Sequence, residues 1–187
     1  MKQFFPMLAV LALTLLVAGC ASASEVPVPT RYSLAAVAGQ SYSPTNDREF
    51  LLLSAAALFD YERVWPHRAP EALRFKVEGS AGLSTAPRTR GVVSGNLFAL
   101  YYLDGLRTAA LRPYAEAGIG LIYTDFQEKD QGLRLNFNPQ AGFGVEIGAD
   151  GASPWLVALR LHHLSNGELH RDNRGINSLM VQIGKFF

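Results

Sequence analysis

A histidine and a serine stand two residues apart at the end of the segment Trp155-Leu-Val-Ala-Leu-Arg-Leu-His-His-Leu-Ser165. If the segment is a strand, its side chains alternate between two faces. His163 and Ser165 then share a face, with about 6.5–7 Å between their Cα atoms. At that spacing an imidazole nitrogen can accept the hydroxyl proton, the first half of a nucleophile–base pair. Such a pair needs a third group to hold the imidazole in the right tautomer. Asn177, at the start of the last strand-like segment, has the parity of Leu179 and Val181, and its amide oxygen is a candidate acceptor. The plainer reading stays open, in which a histidine and a serine merely mark a strand end at the edge of an apolar surface.

The elements that would carry these residues alternate with period two. Leu73, Phe75 and Val77 alternate with Arg74, Lys76 and Glu78. Ala115, Ala117, Ile119 and Leu121 alternate with Tyr114, Glu116, Gly118 and Gly120, and Ala141, Phe143, Val145 and Ile147 with Gln140, Gly142, Gly144 and Glu146. A soluble barrel would turn the apolar row inward, whereas a transmembrane barrel turns it to lipid and fills a narrow interior with small and paired polar side chains. Glycines on the polar row favour the second arrangement, because they relieve crowding where the lumen is tight. With 34–40, 50–60, 92–104, 155–165 and 175–187 added, the count is eight strands, the smallest common barrel. Arg160 marks its own row, which includes Leu156, Ala158, His162 and Leu164, as the interior. Val157, Leu159, Leu161, His163 and Ser165 then face outward. Arg74, Lys76, Glu78, Glu116, Glu146 and Arg160 are expected to form an interior ion-pair network.

The N-terminus reads as an export leader. Lys2 precedes an apolar run from Met7 to Val17, and small residues follow to Ala23. The run is short of the roughly 20 residues that a membrane helix needs, so residues 1–23 are expected to be a removed signal peptide and 24–187 the barrel. Val17-Ala18-Gly19-Cys20 also resembles a lipoprotein cleavage site, which would make Cys20, the chain's one cysteine, a lipidated N-terminus. Lys plus Arg is 17 and Asp plus Glu is 16, and loss of Lys2 balances them. Nothing basic enough for a nucleic-acid partner remains. His162, His163 and His170 lack a zinc spacing and no glycine-rich phosphate loop occurs, so neither metal nor cofactor is expected.

The final strand, Ser178-Leu-Met-Val-Gln-Ile-Gly-Lys-Phe-Phe187, ends on an aromatic as closing strands of outer-membrane barrels do. Lys185 departs from that pattern, at a depth where a lysine can snorkel to water. With both termini in the periplasm, connections 42–48, 84–90, 125–134 and 166–174 face outward, and the long aromatic connection 60–71 falls on the periplasmic side.

The stretch His163-Leu-Ser165-Asn166, followed by Asn173-Arg-Gly175-Ile176-Asn177-Ser178 before a terminal strand, resembles the lipid A 3-O-deacylases of the PagL type. The resemblance implies an outer-membrane esterase that removes the 3-position acyl chain of lipid A. It implies Ser165 as nucleophile and His163 as general base, with Asn173 and a backbone N–H of the Asn166-Gly167-Glu168 turn binding the oxyanion. Best-known members carry a glutamate where this chain has Asn177, so the third catalytic member is neutral here unless Glu168 or Asp172 supplies a carboxylate. Val157, Leu159 and Leu161 would then line an acyl groove or simply touch lipid. The expected partner is lipid A in the outer leaflet, and a homodimer is left open. Two other readings stand beside the esterase: a catalytically silent structural or binding barrel, and a lipid-anchored soluble lipocalin.

Overall fold

The computed structural model describes residues 28–187 apart from Pro66, Ala86, Pro87 and Ala152. The expected leader and its cleavage sites lie outside the described residues. The chain forms one closed antiparallel barrel. Its strands are β1 (Arg31–Ser43), β2 (Glu49–Asp60), β3 (Leu73–Ser84), β4 (Arg90–Tyr102), β5 (Leu111–Thr124), β6 (Leu135–Phe137), β7 (Gln140–Ile147), β8 (Trp155–Leu164) and β9 (Ile176–Phe186). Strands that follow one another pair, except β6 with β7, and β9 returns to β1 to close the ring. The short β6 and β7 both pair with β5 and are parted by Asn138 and Pro139. Proline has no N–H to give the ladder, yet its carbonyl still accepts from His163 N at 2.9 Å. β6 and β7 are therefore one interrupted stave, and the barrel has the eight that the alternation predicts.

Closure turns the alternation into an inside and an outside. On β8, Leu156, Ala158, Arg160, His162 and Leu164 are buried, while Leu159 and Leu161 are 49% and 56% exposed. On β9, Leu179, Val181 and Ile183 are exposed, as is Phe187 just beyond it, whereas Met180, Gln182 and Phe186 are buried. The apolar rows thus form a belt around the outside, and a lipocalin-like inversion is ruled out. At the terminal end, Trp155 and Tyr32 join the belt as an aromatic girdle. Lys185 lies there too, its Nζ 5.5 Å from the Trp155 ring centre. The connection from β2 to β3 folds a single helical turn, α1 (Tyr61–Val64), and sets Trp65 edge-on to Phe75 with ring centres 6.3 Å apart. Its aromatic content, puzzling in a plain periplasmic turn, belongs to that girdle.

The interior is layered. Arg160 lies at its centre, with Nε 2.6 Å from Glu116 Oε1, Nη1 2.6 Å from Glu78 Oε1, and Nη2 2.9 Å from Glu78 Oε2 and 2.6 Å from Gln182 Oε1. Lys76 closes the group through Glu116 and, at 3.5 Å, Glu78. Glu146 and Arg74, expected in the same network, lie nearer the terminal end. Glu146 there takes a two-pronged pair from Arg31 at 3.0 and 3.1 Å and the Tyr102 hydroxyl at 2.5 Å. Arg74 donates to the carbonyl of Leu73 at 2.8 Å.

Apolar plugs flank the charged layer. Phe50, Leu52, Ile122, Leu164 and Ile176 fill the loop end, and Leu58, Leu100, Tyr102, Tyr114 and Phe186 the other. An interior of glycines and charges alone is thus incomplete. Phe50-Leu-Leu-Leu53 is apolar on both rows, and its inward members cannot be told from its lipid-facing ones by alternation. The glycines do what the tight lumen requires: a methyl group at Gly144 would collide with the Tyr114 ring.

Candidate active site

Four connections gather at the loop end, between β1 and β2, β3 and β4, β5 and β6, and β8 and β9. The outward row of β8 reaches this end with His163 and Ser165. Asn177 is the direct cross-strand partner of His163. Because His163 N bonds back to Pro139, this is a non-hydrogen-bonded pair, the kind whose side chains stand closest. His163 Nδ1 lies 2.6 Å from Asn177 Oδ1. An amide oxygen only accepts, so Nδ1 carries the proton and Nε2 keeps its lone pair. That is the tautomer a general base needs. All three side chains are half-buried on the outer wall. His162, one residue away, faces inward, with its ring 5.9 Å from that of Phe50, and takes no part.

Ser165 prolongs β8 by a single bridge to Phe137, with Phe137 N on Ser165 O at 2.8 Å and Ser165 N on Phe137 O at 3.2 Å. Its hydroxyl bonds to no other described residue, and no hydrogen bond joins it to His163. The chain then turns back through Asn166-Gly167-Glu168-Leu169, closed by Leu169 N on Asn166 O at 3.2 Å. Both central residues have positive φ, 62° at Gly167 and 68° at Glu168, the mark of a type I′ turn. Gly167 has a second reason to lack a side chain, since a Cβ there would fall 2.9 Å from the Phe137 ring. The N–H groups of Gly167 and Glu168 donate to no other described residue.

The residues expected to bind the oxyanion differ in how they are held. Asn166 is 1% exposed, and its Nδ2 donates to the carbonyls of Gln131 at 2.9 Å and Asp172 at 2.7 Å. It clasps two loops together. Asn166 N donates to Asn173 Oδ1 at 2.8 Å. This fixes the Asn173 amide and leaves Nδ2 as its free donor. Glu168 and Asp172 do not reach Nδ1 of His163, a place Asn177 already fills, and Asp172 sits by Arg171 at 3.6 Å. Val157, Leu159 and Leu161 run down the wall from His163, outward and in line.

Gly175 and Gln131 are parts of the site not singled out from sequence. A methyl on Gly175 would fall 2.7 Å from His163 Cε1 and 3.3 Å from Nε2, so the bare backbone is the bed of the imidazole. Gly175→Ala is expected to push the ring off its bed and lower turnover by about 10-fold or more. The barrel should still migrate as folded in unheated electrophoresis. Its glycine before a strand was visible in the sequence. The Gln131 clasp was not, because it joins loops 35 residues apart.

A family model described as lipid A 3-O-deacylase (PagL) matches residues 54–185. No curated protein sequence matches the chain significantly. Among solved structures, the outer-membrane enzyme PagL superposes with a TM-score of 0.58 at 20% identity, over 81% of this chain and 97% of that one. Neisserial surface protein A superposes with a TM-score of 0.63 at 14% identity, over 84% of this chain and 95% of the other.

Proposed function

From the premise that this chain belongs to the lipid A 3-O-deacylase (PagL) family, and so is an outer-membrane barrel of a lipid A deacylase lineage, we propose that it hydrolyses the 3-position acyl ester of lipid A with Ser165 and His163. The observation that carries this reading is the 2.6 Å contact between His163 Nδ1 and Asn177 Oδ1 on the lipid-facing wall. In the proposed reaction, Ser165 Oγ attacks the ester carbonyl while His163 Nε2 takes its proton. The oxyanion is held by Asn173 Nδ2 and the N–H groups of the 167–168 turn. Collapse breaks the ester, and the sugar hydroxyl leaves with the proton from His163. Water, deprotonated by the same nitrogen, then frees the fatty acid from Ser165.

The outward orientation suits this substrate. Drawing an acyl chain out of the bilayer costs about 0.8 kcal/mol per CH₂, and a site on the wall avoids that cost. Val157, Leu159 and Leu161 would line the path of the chain being removed.

A long-chain alkyl phosphonate with a good leaving group tests the nucleophile. Folded protein in bilayers should carry one adduct, on Ser165, and His163→Ala should not label. An unlabelled Ser165 in folded wild-type barrel would instead favour a silent binding barrel. Asn173→Ala removes one oxyanion donor and is expected to lower kcat about 10²-fold, with KM little changed.

A further inference from the structure

Strand β1 pairs regularly with β9 until its last turn of register. Ser41 lies opposite Ser178, and the next pair is Ser43 with Asn177, so Tyr42 is an extra residue. This is a β-bulge, a feature that re-aims side chains and often lies beside active sites. Ser41 and Ser178 are both buried and face the lumen, 2% and 0% exposed. The bulge therefore brings Ser43 to the outer face, opposite Asn177. Asn177 stands between His163 on one strand and Ser43 on the other. Neither the Ser43 hydroxyl nor Asn177 Nδ2 is engaged by another described residue.

A carboxylate beside a histidine has no wrong side, whereas a carboxamide has one. Only one of its two orientations offers oxygen to the Nδ1 proton. The other sets N–H against N–H, or forces the proton onto Nε2 and removes the base. An asparagine in this position works only if something fixes its orientation. We propose that Ser43 is that group, a positioning residue whose hydroxyl accepts from Asn177 Nδ2 and so keeps Oδ1 on His163. Cβ atoms of directly opposite residues stand about 4.5–5.5 Å apart, a span that rotation of the Ser43 side chain closes while Asn177 keeps its Oδ1 on His163. The bulge and the neutral third member then form one device: the chain does without a glutamate at 177 because β1 supplies a hydroxyl.

The inference rests on the esterase reading, and a double-mutant comparison separates the two. Ser43→Ala and Ser43→Thr are made with Asn177 and again with Asn177→Glu, and kcat and KM for lipid A deacylation are measured on folded barrels. With Asn177 present, Ser43→Ala should lower kcat about 10-fold at unchanged KM, and Ser43→Thr should restore it. With Asn177→Glu, Ser43→Ala should change kcat less than about twofold from its parent, because a carboxylate needs no orienting. Full activity of Ser43→Ala beside Asn177, or an equal loss in both backgrounds, overturns the inference. If Ser43→Ala fails to fold, Ser43→Cys, a poor acceptor of similar size, takes its place with the same outcomes. A wild-type barrel that is folded and inactive would instead overturn the esterase reading itself.

Discussion

Replacement of Ser165 by alanine is expected to lower lipid A deacylation by about 10³-fold or more while leaving the barrel folded. The change removes one oxygen from a half-buried outer-wall position where its hydroxyl supports no other described residue. Packing, ladder and interior layers are untouched. His163→Ala should cost about as much. The double variant should be little worse than either, since groups that act as one unit lose their effect together. Initial rates on detergent-solubilised lipid A, normalised to the folded fraction in unheated electrophoresis, check this. Additive losses would mean that the two side chains do not share a step.

Arg160→Leu should destabilise the barrel by about 3–5 kcal/mol without touching the chemistry. Arg160 is 2% exposed and its guanidinium makes four hydrogen bonds to Glu78, Glu116 and Gln182. It also lies 4.8 Å from the centre of the Phe98 ring. Leucine leaves two buried carboxylates with Lys76 alone to share. Arg160→Lys keeps a charge but loses the planar fork and should fall between. Urea titrations of folded barrel in lipid vesicles measure the loss as a lower midpoint at unchanged slope. The molecules that remain folded should turn over at the wild-type rate, because Arg160 faces the lumen and His163 the lipid. A stability loss below about 1 kcal/mol would show that the charged layer is dispensable.

The wall of the barrel was legible because burial follows parity. Once Arg160 marks the inner row of β8, the outward aim of His163 and Ser165 follows, and so does that of Asn177 from Leu179 and Val181. The closing strand was legible from its terminal aromatic. The apolar plugs were legible on β8, through Leu156, Ala158 and Leu164, but not on β2, since in Phe50-Leu-Leu-Leu53 both faces carry the same residue type. Nor was the split of β6 from β7 legible. A break at Pro139 needs no change of alternation, only the loss of one donor. The placement of the candidate site residues was readable to the extent that they lie on strands. The loop half of the site rests on Asn166 reaching the carbonyls of Gln131 and Asp172, contacts that a spacing rule does not contain. The bulge at Tyr42 is silent in sequence for a similar reason, because one added residue on β1 shows only when its partner strand is known.

The most direct measurement is the mass of lipid A from outer membranes in which this barrel is abundant and folded, beside the same membranes carrying Ser165→Ala. The account predicts a loss equal to one ester-linked acyl chain from the 3 position, matched by free fatty acid, and no loss with the variant. Lipid A of unchanged mass in both, with the wild-type barrel folded, would contradict it.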